Sequence, residues 1–251
     1  PARKLKMFDL LVRMGYKEIE IGFPSASQTD FDFVRQLVEG DRIPDDVRVS
    51  VLTQAREDLI ERTVRALVGL DRATVHLYNA TAPLFRRVVF GVDKDECRNI
   101  GVRGTEMVMK YAEELLGDCD FGYQYSPEIF TQSDTDFALA VCEAVSDVWQ
   151  PEAGREIILN LPATVEMSTP NTYADQIEYF IRNVRNRAHA AVSLHPHNDR
   201  GTSVAASELG LMAGADRVEG CLFGHGERTG HVDLATRGMN LSSQGTAPKI
   251  D

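Results

Sequence analysis

The sequence predicts an α/β fold of the (β/α)8 TIM-barrel class, with the first β-strand missing from the chain. Strand-like and helix-like patterns alternate along all 251 residues, and the first pattern is a helix. Eight helical segments but only seven strands can be counted. Strict alternation over a chain of about 250 residues favours a parallel barrel over a doubly wound sheet. We therefore expect seven strands of such a barrel, with the absent strand preceding residue 1.

Each element has its own signal. Apolar, β-branched runs bounded by Gly, Asp or Pro indicate strands that are covered on both faces. The predicted strands are residues 18–23, 47–52, 73–78, 121–125, 156–161, 190–195 and 217–222. Apolar residues at helical spacing indicate the helices; in the first, Leu5, Phe8 and Leu11 share one face, and Gly15 marks the end. The predicted helices are residues 3–15, 31–37, 59–70, 96–116, 134–148, 173–184, 203–213 and 231–240.

Composition and charge narrow the class of protein. The net charge is −11, which excludes a general attraction for nucleic acid or for anionic membranes. No run approaches the roughly 18 apolar residues of a membrane helix, and no apolar signal core follows the basic N-terminus. The four cysteines form no CxxC pair, which is typical of free thiols in a reducing compartment. We expect a soluble, cytoplasmic protein.

A His-x-His pair stands at the end of the sixth predicted strand. His195 and His197 belong to the segment SLHPHNDRG at residues 193–201. Residues two apart in a strand point to the same side, so both imidazoles can face one point. Barrel enzymes place their active sites at this end of the strands. Because neutral imidazoles suit a divalent metal, we predict that His195 and His197 are metal ligands.

A glycine-rich loop follows the seventh predicted strand. Four glycines stand within residues 220–230, which allows unusual backbone angles and a close approach of the chain. Glu227 and Arg228 also stand in this loop, and a plain tight turn does not require two charged side chains. A loop of this kind, following a His-x-His pair, favours a functional site at the strand ends.

These motifs resemble those of the 2-isopropylmalate synthase family, in the branch with longer chains. The resemblance rests first on HPHNDRG at residues 195–201, and on GCLFGxGERTG at residues 220–230. Five further strand ends match: GFPSAS at 22–27, VLTQAR at 51–56, VHLYN at 75–79, QYSPE at 124–128 and NLPATVE at 160–166. The resemblance therefore covers essentially the whole chain, with motifs on seven successive strand ends.

The resemblance implies a Claisen condensation that belongs to leucine biosynthesis. Acetyl-CoA loses a methyl proton, the enolate attacks the ketone of 2-oxoisovalerate, and hydrolysis of the thioester gives 2-isopropylmalate and CoA. A divalent metal ion (zinc, manganese or magnesium), held by His195 and His197, would polarise the ketone. The implied partners are thus acetyl-CoA and a 2-oxo acid, in a homodimer.

The resemblance also implies roles for four further side chains. Glu128 matches the acid/base or water-orienting carboxylate of the family. His76, Ser126 and Thr164 match its substrate contacts. From the residues alone, Glu128 is also compatible with a surface ion pair, and His76 with a hydrogen-bonded structural histidine.

The chain departs from the family pattern at several places. The family's opening strand ends in an Arg-Asp pair, of which the Asp is a metal ligand; the chain begins after that point, so we expect weaker metal binding and impaired activity. His225 and His231 stand where the family usually has asparagine. His225 is a candidate third metal ligand or the holder of a metal-bound water, whereas His231 is expected to begin a helix without a direct role.

We expect residues 1–241 to form the barrel, and residues 242–251 to begin a linker to absent, leucine-sensing C-terminal subdomains.

Other functions remain open on the sequence. A related condensing enzyme, of the homocitrate or citramalate synthase type, is the nearest alternative, and an aldolase or lyase on the same metal barrel is another. A different class is a catalytically silent metal-binding barrel that serves in assembly. The absent Arg-Asp pair favours the silent barrel, whereas the retained His195, His197, Glu128 and Thr164 favour an enzyme.

Overall fold

A computed structural model of the chain describes residues 2–250. Within these residues seven strands form one sheet, in which hydrogen-bonded neighbours follow chain order from β1 to β7. The strands are β1 Glu18–Glu20, β2 Arg48–Gln54, β3 Arg72–Ala80, β4 Asp120–Glu128, β5 Ile157–Ala163, β6 Ala190–Pro196 and β7 Arg217–Val218. β1, β2 and β3 pair in parallel, and so do β5, β6 and β7. The α/β class and the seven strands expected from the sequence are confirmed.

Helices connect the strands. They are α1 Ala2–Arg13, α2 Gln28–Glu39, α3 Glu57–Ala66, α4 Pro83–Phe85, α5 Lys94–Leu116, α6 Thr135–Trp149, α7 Pro170–Asn183, α8 Ser203–Met212 and α9 Leu234–Ser243. A π-helical turn, Arg86–Phe90, and two 3-10 turns, Phe130–Gln132 and Arg187–His189, complete the helical segments. The short segments were not predicted, because they contain too few residues for a periodic pattern. Among the residues described, no helix combines the length and apolarity needed to cross a lipid bilayer.

The chain divides into two compact units. The first comprises residues 1–78, 100–124 and 249–251, and the second comprises residues 79–99 and 125–248. In the first unit, β2 buries Val49 and Val51 completely, because alternate residues of a strand point to the same face. In α3, Ile60 and Val64 are also fully buried, and their spacing of four residues places them on one side of the helix. The predicted apolar pattern thus forms the core of this unit.

In the second unit, β5 and β6 pair along their whole length, from Ile157 with Ala190 to Ala163 with Pro196. α8 packs closely against β6 because a glycine faces the strand. A Cβ atom at Gly210 would lie only 2.5 Å from Leu194 Cδ1. The close packing of α8 fixes the strand that carries the His-x-His pair.

Most element boundaries differ from the prediction by a few residues, and three of them concern β1, β7 and the last helix. β1 ends at Glu20 rather than at residue 23, and β7 ends at Val218 rather than at residue 222. Beyond β7 the chain pairs with its own loop, since the Cys221 N–H donates to the Val232 carbonyl at 3.1 Å. The last helix begins at Leu234 rather than at residue 231, because the Asp233 carboxylate caps it by accepting a hydrogen bond from the Thr236 N–H at 3.0 Å. The prediction that His231 begins this helix was therefore wrong.

Replacing Gly104 by valine tests the packing of the first unit. A Cβ atom at this position of α5 would lie 2.9 Å from both Ala55 Cβ and Leu77 Cδ2. We expect Gly104→Val to lower the free energy of unfolding by about 1–3 kcal/mol, as overpacking of a core does. Urea denaturation measures this loss. Glu106→Val, at an exposed position of the same helix, is the matched control, and an equal loss in both variants would contradict the packing described here.

Candidate metal centre and active site

Three histidines of the second unit, His195, His197 and His231, form a group that could hold a metal ion. One ligand atom of each ring lies within 4.8 Å of the ligand atoms of the other two. The ring centroids of His197 and His231 are 4.3 Å apart, and those of His195 and His231 are 4.7 Å apart. Tetrahedral zinc with Zn–N distances of 2.0–2.1 Å separates its nitrogen ligands by about 3.4 Å. Small rotations of the three rings therefore suffice to reach a shared divalent ion.

The backbone of the loop after β7 brings His231 to the other two rings. His231 forms an antiparallel bridge with His197. On one side of the bridge the Val232 N–H donates to the Pro196 carbonyl at 3.1 Å, and on the other the Asn198 N–H donates to the Gly230 carbonyl at 3.0 Å. The loop therefore lies beside the end of β6 like an added strand segment. This pairing, rather than the local sequence of the loop, makes His231 a neighbour of the His-x-His pair.

The carboxylate of Glu219 orients His195. Glu219 Oε2 lies 2.9 Å from His195 Nδ1, and Oε1 accepts a hydrogen bond from the Ser193 hydroxyl at 2.8 Å. An ionised carboxylate only accepts hydrogen bonds, so Nδ1 of His195 carries the ring proton and Nε2 keeps its lone pair. Metal-binding histidines commonly have such a carboxylate partner. No sequence pattern indicated Glu219, because its contact with His195 depends on the pairing of β6 with β7.

His197 is buried, and its ring is uncharged at neutral pH. Burial, together with the nearby His231, His195 and Arg228, lowers the pKa of His197 to about 3. The guanidinium Nη2 of Arg228 lies 2.9 Å from His197 Nδ1 and donates a hydrogen bond to it. In this arrangement the proton of the neutral ring is on Nε2. A metal bound to this ring would therefore compete with the hydrogen bond from Arg228.

Two glycines allow the loop to fold around His231. A Cβ atom at Gly226 would lie 2.9–3.0 Å from three atoms of the His231 ring. At Gly230 the backbone has φ of +92°, and a Cβ atom there would lie 2.0 Å from the Gly224 carbonyl oxygen. Larger residues at both positions would displace the ring or the turn that carries it. On its other side, His231 Nδ1 lies 3.5 Å from the sulfur of Cys221.

His225, the candidate third ligand from the sequence, is exposed and does not belong to the group of three. His231 stands in its place. Both histidines lie in the glycine-rich loop, and the motif alone gave no means of choosing between them. Only the bridge to His197 distinguishes the two.

Glu128 lies at the end of β4 in the second unit. Burial, and to a smaller extent the charge of Glu227, raises the pKa of Glu128 to about 7. Its carbonyl oxygen accepts hydrogen bonds from the N–H and the hydroxyl of Thr81, at 3.1 and 3.2 Å. The next residue, Ile129, has φ of +60°, which a β-branched residue adopts only when its surroundings impose it. The backbone thus fixes a carboxyl group that can exchange a proton near neutral pH.

Thr164 and Ser126, predicted as substrate contacts, lie at the ends of neighbouring strands of the second unit. The Thr164 hydroxyl accepts a hydrogen bond from the Ile129 N–H at 3.0 Å, which ties it to the segment that carries Glu128. The Thr164 carbonyl accepts a further bond from the guanidinium of Arg228. Ser126 is buried, and its hydroxyl accepts from the Asn160 amide at 2.9 Å. Both residues therefore help to order the strand ends.

His76, the remaining predicted substrate contact, lies in the first unit. It is buried in β3, and its Nδ1 is 2.8 Å from Glu20 Oε2. The side-chain amide nitrogen of Gln124 lies 3.2 Å from the same ring nitrogen. An ionised Glu20 holds the ring proton at Nδ1, so Nε2 keeps the lone pair.

A buried carboxylate orders the loop that follows His197. Glu166 accepts hydrogen bonds from the Arg200 N–H at 2.5 Å and from the Thr202 hydroxyl at 2.6 Å. Its own N–H donates to Asp199 Oδ2 at 3.0 Å, and Asp199 Oδ1 lies 2.5 Å from Arg228 Nη1. The loop after β6 is thereby joined to the glycine-rich loop. Glu166 was part of a matching motif, but nothing in the sequence indicated this role.

The chain is similar to known proteins over its whole length. The family model described as HMGL-like matches residues 1–251. The chain is 69% identical over 250 residues to a 2-isopropylmalate synthase of Thermobifida fusca (strain YX), in an alignment that covers 99% of this chain and 44% of that protein. It is 64% identical over 251 residues to a 2-isopropylmalate synthase of Streptosporangium roseum, covering 100% of this chain and 43% of that protein. The chain thus spans less than half the length of the curated relatives it matches.

Solved structures of lower identity show the same fold. An HMG-CoA lyase from Brucella melitensis matches with a TM-score of 0.72 and 18% identity, covering 100% of this chain and 86% of that one. An HMG-CoA lyase from Acenitobacter baumannii, in complex with coenzyme A and 3-methylmalate, matches with a TM-score of 0.74 and 17% identity. The match covers 100% of this chain and 79% of that one. The predicted barrel class is confirmed by these matches. HMGL-like enzymes generally depend on a divalent metal ion. Because the family model matches the chain from end to end, the chain belongs to the HMGL-like family.

Proposed function

We propose that this chain catalyses the condensation of acetyl-CoA with 2-oxoisovalerate to give 2-isopropylmalate and CoA. The observation that carries the proposal is the group of His195, His197 and His231, which gathers three imidazoles within metal-binding range. Its support is the similarity of the whole chain to 2-isopropylmalate synthases. The complex of a fold relative with coenzyme A is consistent with an acyl-CoA substrate.

The donor set fits the metal that such a reaction uses. A bound divalent metal would act as a Lewis acid on the ketone of the 2-oxo acid. His195, oriented by Glu219, would bind that metal together with His197 and with His231, which the loop holds beside them. Their role is to fix the orientation of the oxo acid, so that its ketone carbon is the one attacked.

Glu128 is our candidate for the proton-transfer group. A carboxyl group with a pKa near 7 can both accept and return a proton at neutral pH. We assign it to the removal of the methyl proton of acetyl-CoA or to the orientation of the water that hydrolyses the thioester. Ser126 and Thr164, at the ends of β4 and β5, are proposed to contact the oxo acid, and His76 is proposed as a further substrate contact.

These substrates are intracellular metabolites, so we propose that the reaction takes place in the cytoplasm. The homodimer expected from the sequence remains a prediction, as does the choice among zinc, manganese and magnesium.

The proposed reaction is tested by the release of free CoA thiol. Acetyl-CoA, 2-oxoisovalerate and either zinc or manganese are supplied to the purified chain, and thiol formation is followed with a colorimetric reagent. We expect thiol release that requires the oxo acid. Its rate should fall at least about 100-fold in His195→Ala, because this variant lacks one of the proposed metal ligands. Pyruvate and 2-oxoglutarate in place of 2-oxoisovalerate distinguish citramalate- and homocitrate-type activity.

His225→Asn is the matched control for this assay, because His225 is exposed and outside the histidine group. It should retain the activity of the unmodified chain. Thiol release that is equal in His195→Ala and the unmodified chain, or that is absent from a folded chain with every oxo acid, would count against the proposal and favour a silent metal-binding barrel.

The raised pKa of Glu128 makes folding stability depend on pH. In the metal-free protein its pKa is about 7, against an ordinary value of 4.5. Between these values the folded protein holds a proton that the unfolded chain releases, so stability falls as pH rises through this window. From about pH 5 to pH 8 we expect the free energy of unfolding to fall by up to about 3 kcal/mol more than in Glu128→Gln. Urea denaturation at a series of pH values measures this, and parallel pH profiles would show that Glu128 is not perturbed.

A further inference from the structure

We propose that Thr81 and Ser133 are positioning residues, whose hydroxyl groups hold the backbone at Glu128 and thereby set where its carboxyl group lies. The catalytic part of this inference rests on the proposed function, which gives Glu128 the proton-transfer role. The structural part concerns the backbone of the second unit and does not depend on turnover of any substrate.

The carboxyl group of Glu128 is placed by its backbone rather than by contacts of its own. Within residues 2–250, no group donates a hydrogen bond to this carboxyl group, and no cationic side chain pairs with it. The charge of Glu227 acts on it, and that charge has the same sign. The rotamers open to a side chain depend on its backbone angles. The backbone at Glu128 therefore decides where the carboxyl group lies.

The peptide group between Glu128 and Ile129 is held on both sides. Its carbonyl oxygen accepts hydrogen bonds from the N–H of Thr81 at 3.1 Å and from the Thr81 hydroxyl at 3.2 Å. Its N–H donates to the Thr164 hydroxyl at 3.0 Å. Because a peptide group moves as one plane, it cannot rotate without breaking hydrogen bonds on both sides. These contacts therefore fix ψ of Glu128 and φ of Ile129.

The hydroxyls of Thr81 and Ser133 form a chain that ends on the same stretch of backbone. Their oxygens lie 2.7 Å apart, and the Ser133 oxygen lies 3.0 Å from the Ile129 carbonyl oxygen. Each hydroxyl has one proton to donate. If Thr81 donates to Ser133, then Ser133 donates to the Ile129 carbonyl; if Ser133 donates to Thr81, then Thr81 donates to the Glu128 carbonyl. In either direction the two hydroxyls act as one unit on the backbone.

The conformation that these contacts hold is one that Ile129 does not favour. Its φ of +60° and ψ of +40° lie in the left-handed region, which is rare for a β-branched residue. Such a conformation persists only when the surroundings over-determine it. The Ile129 side chain is buried in an apolar cluster with Ala80 and Ala82, the two chain neighbours of Thr81. Apolar packing thus anchors the side chain, and the hydroxyl chain anchors the backbone.

Loss of the hydroxyl chain should let this turn relax towards ordinary backbone angles. Thr81 and Ser133 are both buried, so water does not readily replace either hydroxyl. Relaxation of the turn rotates the peptide group after Glu128 and moves its carboxyl group. A displacement of about 1 Å in a reacting group can lower a rate by about 100-fold. The hydroxyls therefore act on the reaction through Glu128 rather than by touching a substrate.

The experiment compares variants that differ by one hydroxyl. Thr81→Val removes the hydroxyl and nearly keeps the shape of the side chain, whereas Thr81→Ser keeps the hydroxyl. Thr105→Val is the matched control, because the hydroxyl of Thr105 is also buried and has the same kinds of partners. It donates to the Gly101 carbonyl at 2.8 Å and lies 2.8 Å from the Tyr123 hydroxyl, in the first unit. Both valine variants should lower the urea midpoint of unfolding.

The structural part is tested by amide hydrogen exchange of the folded, substrate-free chain. In the turn after Glu128, the N–H of Gln132 donates to the Ile129 carbonyl at 3.0 Å. We expect exchange within residues 129–133 to become at least about 10-fold faster in Thr81→Val, because the turn opens more often. Thr81→Ser and Thr105→Val should exchange there at the original rate. Unchanged exchange in a folded Thr81→Val would overturn the structural part.

The catalytic part is tested by the rate of thiol release. We expect kcat to fall at least about 10-fold in Thr81→Val, with KM for 2-oxoisovalerate changed by less than about threefold. KM is spared because Thr164, the proposed oxo-acid contact, is also held through its carbonyl by Arg228. Thr81→Ser should recover most of the rate, and Thr105→Val should keep the original kcat. An equal fall of kcat in Thr105→Val, or a rise of KM in place of the fall of kcat, would overturn the catalytic part.

A double variant tests whether the two hydroxyls form one unit. Residues of one hydrogen-bonded chain have effects that do not add. Thr81→Val combined with Ser133→Ala should therefore lower kcat by no more than about twofold beyond Thr81→Val alone. Losses that multiply in the double variant would contradict a shared chain.

The outcomes separate this inference from the proposed function. Faster exchange in Thr81→Val, in a chain that releases no thiol, would support the structural part but overturn the synthase activity and the catalytic part with it. Thiol release with a kcat that is equal in Thr81→Val and the unmodified chain would keep the proposed function and overturn the role of Thr81.

Discussion

The short backbone pairing between the end of β6 and the loop after β7 is the contact on which the candidate site depends. Two hydrogen bonds, from Val232 to Pro196 and from Asn198 to Gly230, flank the bridge between His197 and His231. Backbone hydrogen bonds of this kind fix a register, and a register fixes which side chains face one another. If the pairing slipped by one residue, the ring of His231 would point to the opposite face. The grouping of the three imidazoles is therefore a consequence of main-chain geometry.

A network of carboxylates supports this pairing from outside the group. Glu219 sets the tautomer of His195, and Glu166 and Asp199 tie the loop after β6 to Arg228 of the glycine-rich loop. Arg228 in turn donates to His197. Rigid support of this kind lets a site keep ligands in place before the metal arrives, which lowers the conformational entropy lost on binding. The same network brings the positive charge of Arg228 to the ring of His197, so a metal bound to that ring would compete with the arginine.

Burial shifts the pKa of two ionisable groups of the second unit in opposite directions. Burial keeps His197 neutral and therefore able to donate a lone pair, whereas burial and the charge of Glu227 hold Glu128 near the midpoint of its titration at neutral pH. The first condition suits the metal ligand proposed for His197, and the second suits the acid/base role proposed for Glu128. Both arise from desolvation, which disfavours the charged form of each group in turn.

Much of this protein could be predicted from its sequence. The alternation of strand and helix patterns predicted the α/β barrel class, because the period of apolar residues differs between the two elements. The spacing of His195 and His197 predicted that they share a face, since alternate residues of a strand do so. The motifs at seven strand ends predicted the relatives that the chain matches. Each of these features is local, and local features can be read from neighbouring residues.

The tertiary structure alone decided the third member of the histidine group. His225 and His231 stand in the same loop, and no local rule separates them. The choice depends on a bridge between residues 34 positions apart in the chain, and the sequence holds no periodic signal for such a pairing. The partners of His195 and Glu128 are also distant in sequence, because Glu219 and Glu227 reach them only after the strands have paired. The sequence therefore determined the elements and the strand ends that carry the candidate residues, whereas long-range backbone pairing determined which side chains meet.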